Sequence, residues 1–166
     1  MLIEPQKAFI EENLAFREPA VSGDQPDNPY PNRWYIRPQW FLSMCYSIME
    51  SNRLKKEFEA ENNFVYDCVI RLRFDMNFQA HLDLSKADLN RVYAMRHTHE
   101  GCGYSYHDTF GFSNSKNMDY YSSLFNKVDD YFKVGIEFCP EIMLGWHLLH
   151  GPFSIKNISY PFEIVR

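Results

Sequence analysis

Tyr66-Asp-Cys-Val-Ile-Arg-Leu-Arg-Phe-Asp75 is an apolar, β-prone run that turns polar at its carboxyl end. Its pattern predicts a buried strand over residues 65–74 that delivers charge to a site. Residues two apart on a strand share a face, so Arg71, Arg73 and Asp75 project to one side while Cys68, Ile70, Leu72 and Phe74 project to the other. Ligands of open α/β sheets bind outside the carboxyl ends of strands, so this comb of two cations and a carboxylate suits a phosphate-bearing or metal-bound ligand. An Arg–Asp ion pair that merely closes the strand accounts for the same residues, and the spacing alone does not separate the two readings.

Around this run the chain reads as one domain of 166 residues, 45% hydrophobic and 17% aromatic, enough for a packed core. Seventeen basic residues against 22 acidic give a formal net charge of −5, and the basic residues are scattered, which disfavours nucleic acid or an anionic membrane as partner. No apolar run approaches the roughly 20 residues of a membrane helix, and the start Met1-Leu-Ile-Glu-Pro lacks the form of a signal peptide. The expected location is the cytoplasm. Cys45, Cys68, Cys102 and Cys139 form no C-x-x-C pair, so reduced thiols are expected rather than a disulfide or zinc framework.

Upstream, a helix is expected over residues 5–16, followed by a proline-rich loop over residues 18–39. From Pro38, the spacing of Phe41, Met44, Cys45 and Ile48 predicts a core-facing helix, and Ser51 or Asn52 would cap a second one ending at Asn62-Asn63. Downstream, a short helix is expected to open at Ser85, with Asp88 in capping-box position, and a strand over 92–95. Residues 96–107 read as a mobile loop and Asp108 to Phe112 as a short buried strand. Ser115 would cap a helix with Met118, Tyr121, Leu124, Phe125, Val128 and Phe132 as its apolar stripe. Pro140 and Gly151 bracket a further helix, and one or two short strands follow from Ile155, with Pro161 favouring an edge. Trp40 and Trp146 sit at core spacing.

Three carboxylates stand where elements change: Asp75, Asp108 and Glu141. Each suits a general base or a metal ligand, and each has a structural account as well, Glu141 through the helix dipole and Asp108 through turn amides. His97, His99, His107 and Cys102 are crowded together but match no specific zinc spacing. His147 and His150 share a helix face and could join a carboxylate around a divalent ion, or form a half-exposed helix edge. No phosphate-cradling glycine loop and no nucleophile elbow is present.

The ordered set Tyr66-Asp-x-Val-Ile-Arg-x-Arg-x-Asp75, His107-Asp-x-Phe-Gly111, Met118-Asp-x-Tyr121 and Pro140-Glu-x-x-Leu144 resembles the carboxyl-terminal half of glycosyltransferase-like proteins of polysaccharide and lipopolysaccharide biosynthesis, the WavE-type group among them. The resemblance covers about Phe41 to His150. It implies an α/β fold of the GT-A kind, a partial Rossmann-related domain with a small, mainly parallel or mixed sheet flanked by helices. It also implies a transferase using a nucleotide-sugar donor and a glycan acceptor. Arg71, Arg73 and Asp75 would lie by the donor diphosphate, with Mn2+ or Mg2+ at Asp75, and Asp108 and Glu141 would be the base candidates on the acceptor side. Arg73 replaces the first residue of the usual Asp-x-Asp, which lets arginine neutralise the diphosphate instead. The resemblance further implies that the chain starts after a nucleotide-binding half. It would then work with a separate half or as a homo-oligomer, and a non-catalytic binding or assembly module derived from the same lobe is the alternative.

Overall fold

The structure is a computed structural model that describes residues 14–16, 38–97 and 103–165. Most of the expected helix over 5–16 and nearly all of the proline-rich loop lie outside the described residues. The elements run α1 (Pro38–Asn62), β1 (Val69–Leu72), β2 (Met76–Phe78), β3 (Val92–Arg96), β4 (Tyr106–Ser113), α2 (Ser115–Tyr121), a 3-10 segment (Ser122–Lys127), α3 (Val128–Lys133), α4 (Pro140–Leu149), β5 (Ile155–Ile158) and β6 (Phe162–Ile164). Four strands form a mixed sheet in the order β1-β4-β3-β5. β1 and β3 pair antiparallel with β4, and β3 pairs parallel with β5, so the sheet is mixed rather than mainly parallel. β2 and β6 form a separate antiparallel ribbon.

The sheet separates two apolar layers. On one side Phe41, Cys45, Met118, Tyr121, Met143 and Leu148 of the helices pack onto Val92, Ala94 and Tyr106. On the other, Met95, Phe110 and Phe112 are covered by side chains of the ribbon and of the 79–91 segment, such as Met76, Phe78, Leu84 and Phe162.

Residues 38–62 form one helix rather than two. Neither glycine nor proline interrupts it after its start, and the Ser51 hydroxyl donates to the Ser47 carbonyl at 2.8 Å inside the helix instead of capping a new one. Asn63, in the left-handed region at φ 52°, stops it. The opposite correction applies after Ser115, where the expected helix breaks into α2, the 3-10 segment and α3, although Met118, Tyr121, Leu124 and Val128 are buried as its stripe predicts. Asn114, not Ser115, is its cap, accepting from the Asn117 amide at 2.9 Å. Ser115 instead bonds Lys55 of α1, whose ammonium also meets Asp119 at 2.8 Å and Glu59 at 3.2 Å.

No helix forms at Ser85. Asp83 accepts from the Ser85 amide at 2.9 Å and Asp88 from the Asn90 amide at 3.2 Å, so these carboxylates hold turns. Trp40, expected in the core, is 66% exposed, while Trp146 packs on Tyr104 with ring centroids 5.6 Å apart.

β1 departs most from expectation. It is a four-residue strand, and among the described residues it pairs with β4 alone, so its apolar face is only partly covered: Ile70 is 40% exposed and Leu72 44%.

Candidate functional site

Register places the charged residues. Arg71 stands opposite Gly111, and the Arg73 amide donates to the Thr109 carbonyl at 3.1 Å, so both arginines lie on the face where the α2 residue Tyr121 packs against Gly111. Asp75 follows where the chain leaves β1 for β2, and its carbonyl accepts from the Val165 amide at 2.8 Å.

Asp108 lies in an irregularity of β4. Ala94 pairs with Gly111 and Arg96 with Tyr106, so His107 to Phe110 stand against Met95 alone. Such a bulge re-aims side chains. Here it turns Asp108 toward the helices, where it borders a cavity of about 10 Å3 with Cys45 of α1, Tyr121 of α2, and Pro140 and Leu144 of α4. The strand therefore begins before Asp108, at Tyr106, inside what the sequence reads as loop.

Glu141 occupies the first turn of α4, behind Pro140, and accepts from the Cys139 thiol at 3.1 Å. Burial pushes the Asp108 carboxyl above its ordinary range, the nearby Glu141 carboxylate pushes it further, and Arg71 and Arg73 partly offset both. A buried carboxyl raised in this way, with a second carboxylate nearby, is a candidate general base.

Arg73 and Asp75 form a two-pronged pair, Nε to Oδ1 at 2.9 Å and Nη2 to Oδ2 at 2.5 Å. That hydrogen bonding holds the Asp75 carboxyl below its ordinary range. Two of the comb's three residues are thus spent on each other. Both Asp75 oxygens serve Arg73, and among the described residues no three His, Cys, Asp or Glu side chains are grouped to hold a metal. With Asp75 engaged by Arg73, no chemical step is routed through a metal.

Arg71 differs. Its Nη1 is buried and has no hydrogen-bond partner among the described residues. The same holds for Thr109 Oγ1 and Tyr121 Oη, with Thr109 4% and Tyr121 2% exposed. Sequence reasoning missed both hydroxyl residues, because Tyr121 sits in an apolar helix stripe and Thr109 inside an apolar strand.

The histidines do other work. His97 and His107 meet edge to face at 4.5 Å, while His99 and Cys102 lie outside the described residues. His147 is a buried structural hub: its Nε2 donates to the Tyr120 carbonyl at 2.7 Å and its Nδ1 accepts from the Tyr131 hydroxyl at 2.9 Å. Exposed His150 bonds the Trp146 carbonyl of its own helix at 2.8 Å.

Fold and site together define a small mixed α/β domain with helices packed on its sheet and a charged cluster at the carboxyl end of an edge strand. No protein-family model matches the chain, and no curated protein matches it. Among the described residues no helix is long and apolar enough to cross a membrane.

Proposed function

We propose that the chain acts in glycosyl transfer from a nucleotide-diphospho-sugar to a glycan acceptor, with a fold of the GT-A kind. The observation that carries this reading is Asp108: a carboxyl turned by a strand bulge toward a cavity, raised by burial and by Glu141, with Arg71 and Arg73 in electrostatic range. Asp108 takes the proton of the acceptor hydroxyl as that oxygen attacks the anomeric carbon, and the bond from that carbon to the nucleoside diphosphate breaks. Arg71 faces the departing diphosphate, and Arg73 joins it when Asp75 releases its guanidinium. Glu141 keeps Asp108 basic. The reaction belongs in a reducing compartment, the cytoplasm, in keeping with Cys45 and Cys68 as thiols.

Calorimetry with UDP and GDP, with and without Mn2+ or Mg2+, tests the donor side. Binding that weakens in Arg71→Ala supports the reading, and the absence of heat for every nucleotide at millimolar concentration contradicts it.

A non-catalytic assembly module is the second reading, favoured by one observation. Ile70 and Leu72 on the edge strand and the fully exposed Phe74 just beyond its end have the form of a surface that pairs with a homo-oligomeric copy or with a separate nucleotide-binding half. A chain that stays monomeric in light scattering at high concentration speaks against self-pairing.

A further inference from the structure

We infer that the open groove between α1 and the start of β1 seats the base of a nucleoside diphosphate whose phosphates lie at Arg71. The inference rests on the nucleotide-sugar reading above and adds to it the residues that hold the donor's base.

The groove measures about 370 Å3, within the size range of small-molecule sites. It is lined by Leu54 and Phe58 of α1 and by Tyr66, Cys68 and Val69. All five are half-buried, so a ligand reaches them from solvent. The rings of Phe58 and Tyr66 lie within 14° of parallel, with centroids 6.5 Å apart, and Phe64 meets both edge-on at 5.9 and 4.7 Å. The Tyr66 amide donates to the Glu59 carboxylate at 2.9 Å, which anchors its backbone to α1. Parallel aromatic faces on a fixed backbone suit a flat aromatic ligand, and every nucleobase has a face to stack on them.

Charge and register decide which part of the nucleotide lies there. Lys55, the cation that lines the groove, is already held by Asp119 at 2.8 Å and Glu59 at 3.2 Å. A phosphate in the groove would meet two carboxylates around a single ammonium, whereas an uncharged base meets no such repulsion. Val69 packs into the helix-side layer, and Arg71 and Arg73 follow it on the same face at steps of about 7 Å. The phosphates therefore find their cation along β1 just beyond the groove, and Arg71 in turn stands in electrostatic range of Asp108. Base, diphosphate and reacting sugar fall in line from the groove to Asp108.

The test uses the full chain, with UDP, GDP and inorganic pyrophosphate as probes. Cys68 is a free thiol in the groove wall and reports its occupancy. UDP or GDP at ten times its Kd should slow alkylation of Cys68 by N-ethylmaleimide about tenfold, followed by peptide mass spectrometry. By calorimetry, Tyr66→Leu should weaken that nucleotide about tenfold or more, the usual worth of one base stacked on an aromatic ring, and leave pyrophosphate unchanged. Should Tyr66→Leu fail to fold, the Cys68 protection decides alone. A nucleotide that binds yet leaves Cys68 as reactive as before, or that binds wild type and Tyr66→Leu equally, overturns the groove and leaves the donor reading standing. An equal loss of pyrophosphate binding in Tyr66→Leu overturns it as well. Protection of Cys68 by raising the protein concentration alone would assign the groove to a second copy of the chain and overturn the base seat. Failure of both nucleotides to bind wild type overturns the seat and the donor reading together.

Discussion

Gly145 of α4 lies so close to Tyr104 that a β-carbon on it would stand 1.6 Å from the Tyr104 carbonyl oxygen and 2.7 Å from the carbonyl carbon. Only glycine lets the helix approach the backbone leading into β4 at this distance. That approach also sets the spacing between Glu141, one turn earlier on α4, and Asp108 on β4. Gly145→Ala should therefore cost about 3 kcal/mol, the upper end of ordinary overpacking, because the atom met is backbone and cannot swing away. Urea denaturation measures it. A loss under about 0.5 kcal/mol, the level of ordinary surface substitutions, would contradict the packing described.

His147 makes the fold acid-sensitive. Burial lowers its imidazole from 6.5 to about 4, with Lys127 and His150 adding to the shift and the Tyr120 carbonyl opposing it. The unfolded chain binds this proton at a higher pH than the folded chain does. Stability therefore rises with pH between about 4 and 6.5 and is lost on acidification through that window, by about 3 kcal/mol for this group alone. Denaturation at pH 7 and pH 4.5 should show the loss in wild type. His147→Phe, though less stable at pH 7, should lose less between the two pH values, and an identical pH slope would assign the acid sensitivity elsewhere.

Asp108 carries the opposite linkage. Its folded carboxyl is raised above the ordinary 3.8, so the folded state holds the proton more tightly than the unfolded state. The resulting stability is present below about 3.8 and is lost as pH rises through the folded value. Above that folded value the ionised carboxylate is a liability to the fold, and Asp108→Asn should melt at an equal or higher temperature than wild type. If Asp108 served only turn amides, the same substitution would lower the melting temperature.

How far the sequence showed this follows from the range over which each feature is decided. The alternation of Arg71 and Arg73 against Ile70 and Leu72 was legible, because strand parity is local. That β1 lies at an edge was not, since it depends on β4, whose register with β1 is set far along the chain. Pro140 and the apolar residues behind it marked α4 correctly, start and type. The break after Tyr121 was hidden, because the stripe of Met118, Leu124 and Val128 stays buried through the 3-10 turn. The bulge at His107 to Phe110 leaves no mark in residue types, yet it turns Asp108 toward the helices. Tyr121 and Thr109 read as core because a hydroxyl inside an apolar pattern signals nothing until its partners are traced.

The most direct test of the central claim is donor turnover. The full chain is incubated with a panel of UDP- and GDP-sugars, with and without Mn2+ or Mg2+, and release of the nucleoside diphosphate is followed for wild type and Asp108→Asn. The account predicts release from at least one donor by wild type and a fall of roughly 10²–10⁴-fold in Asp108→Asn, the usual worth of a general base, with folding intact. Equal turnover by the two proteins, or none by wild type with any donor, would contradict it.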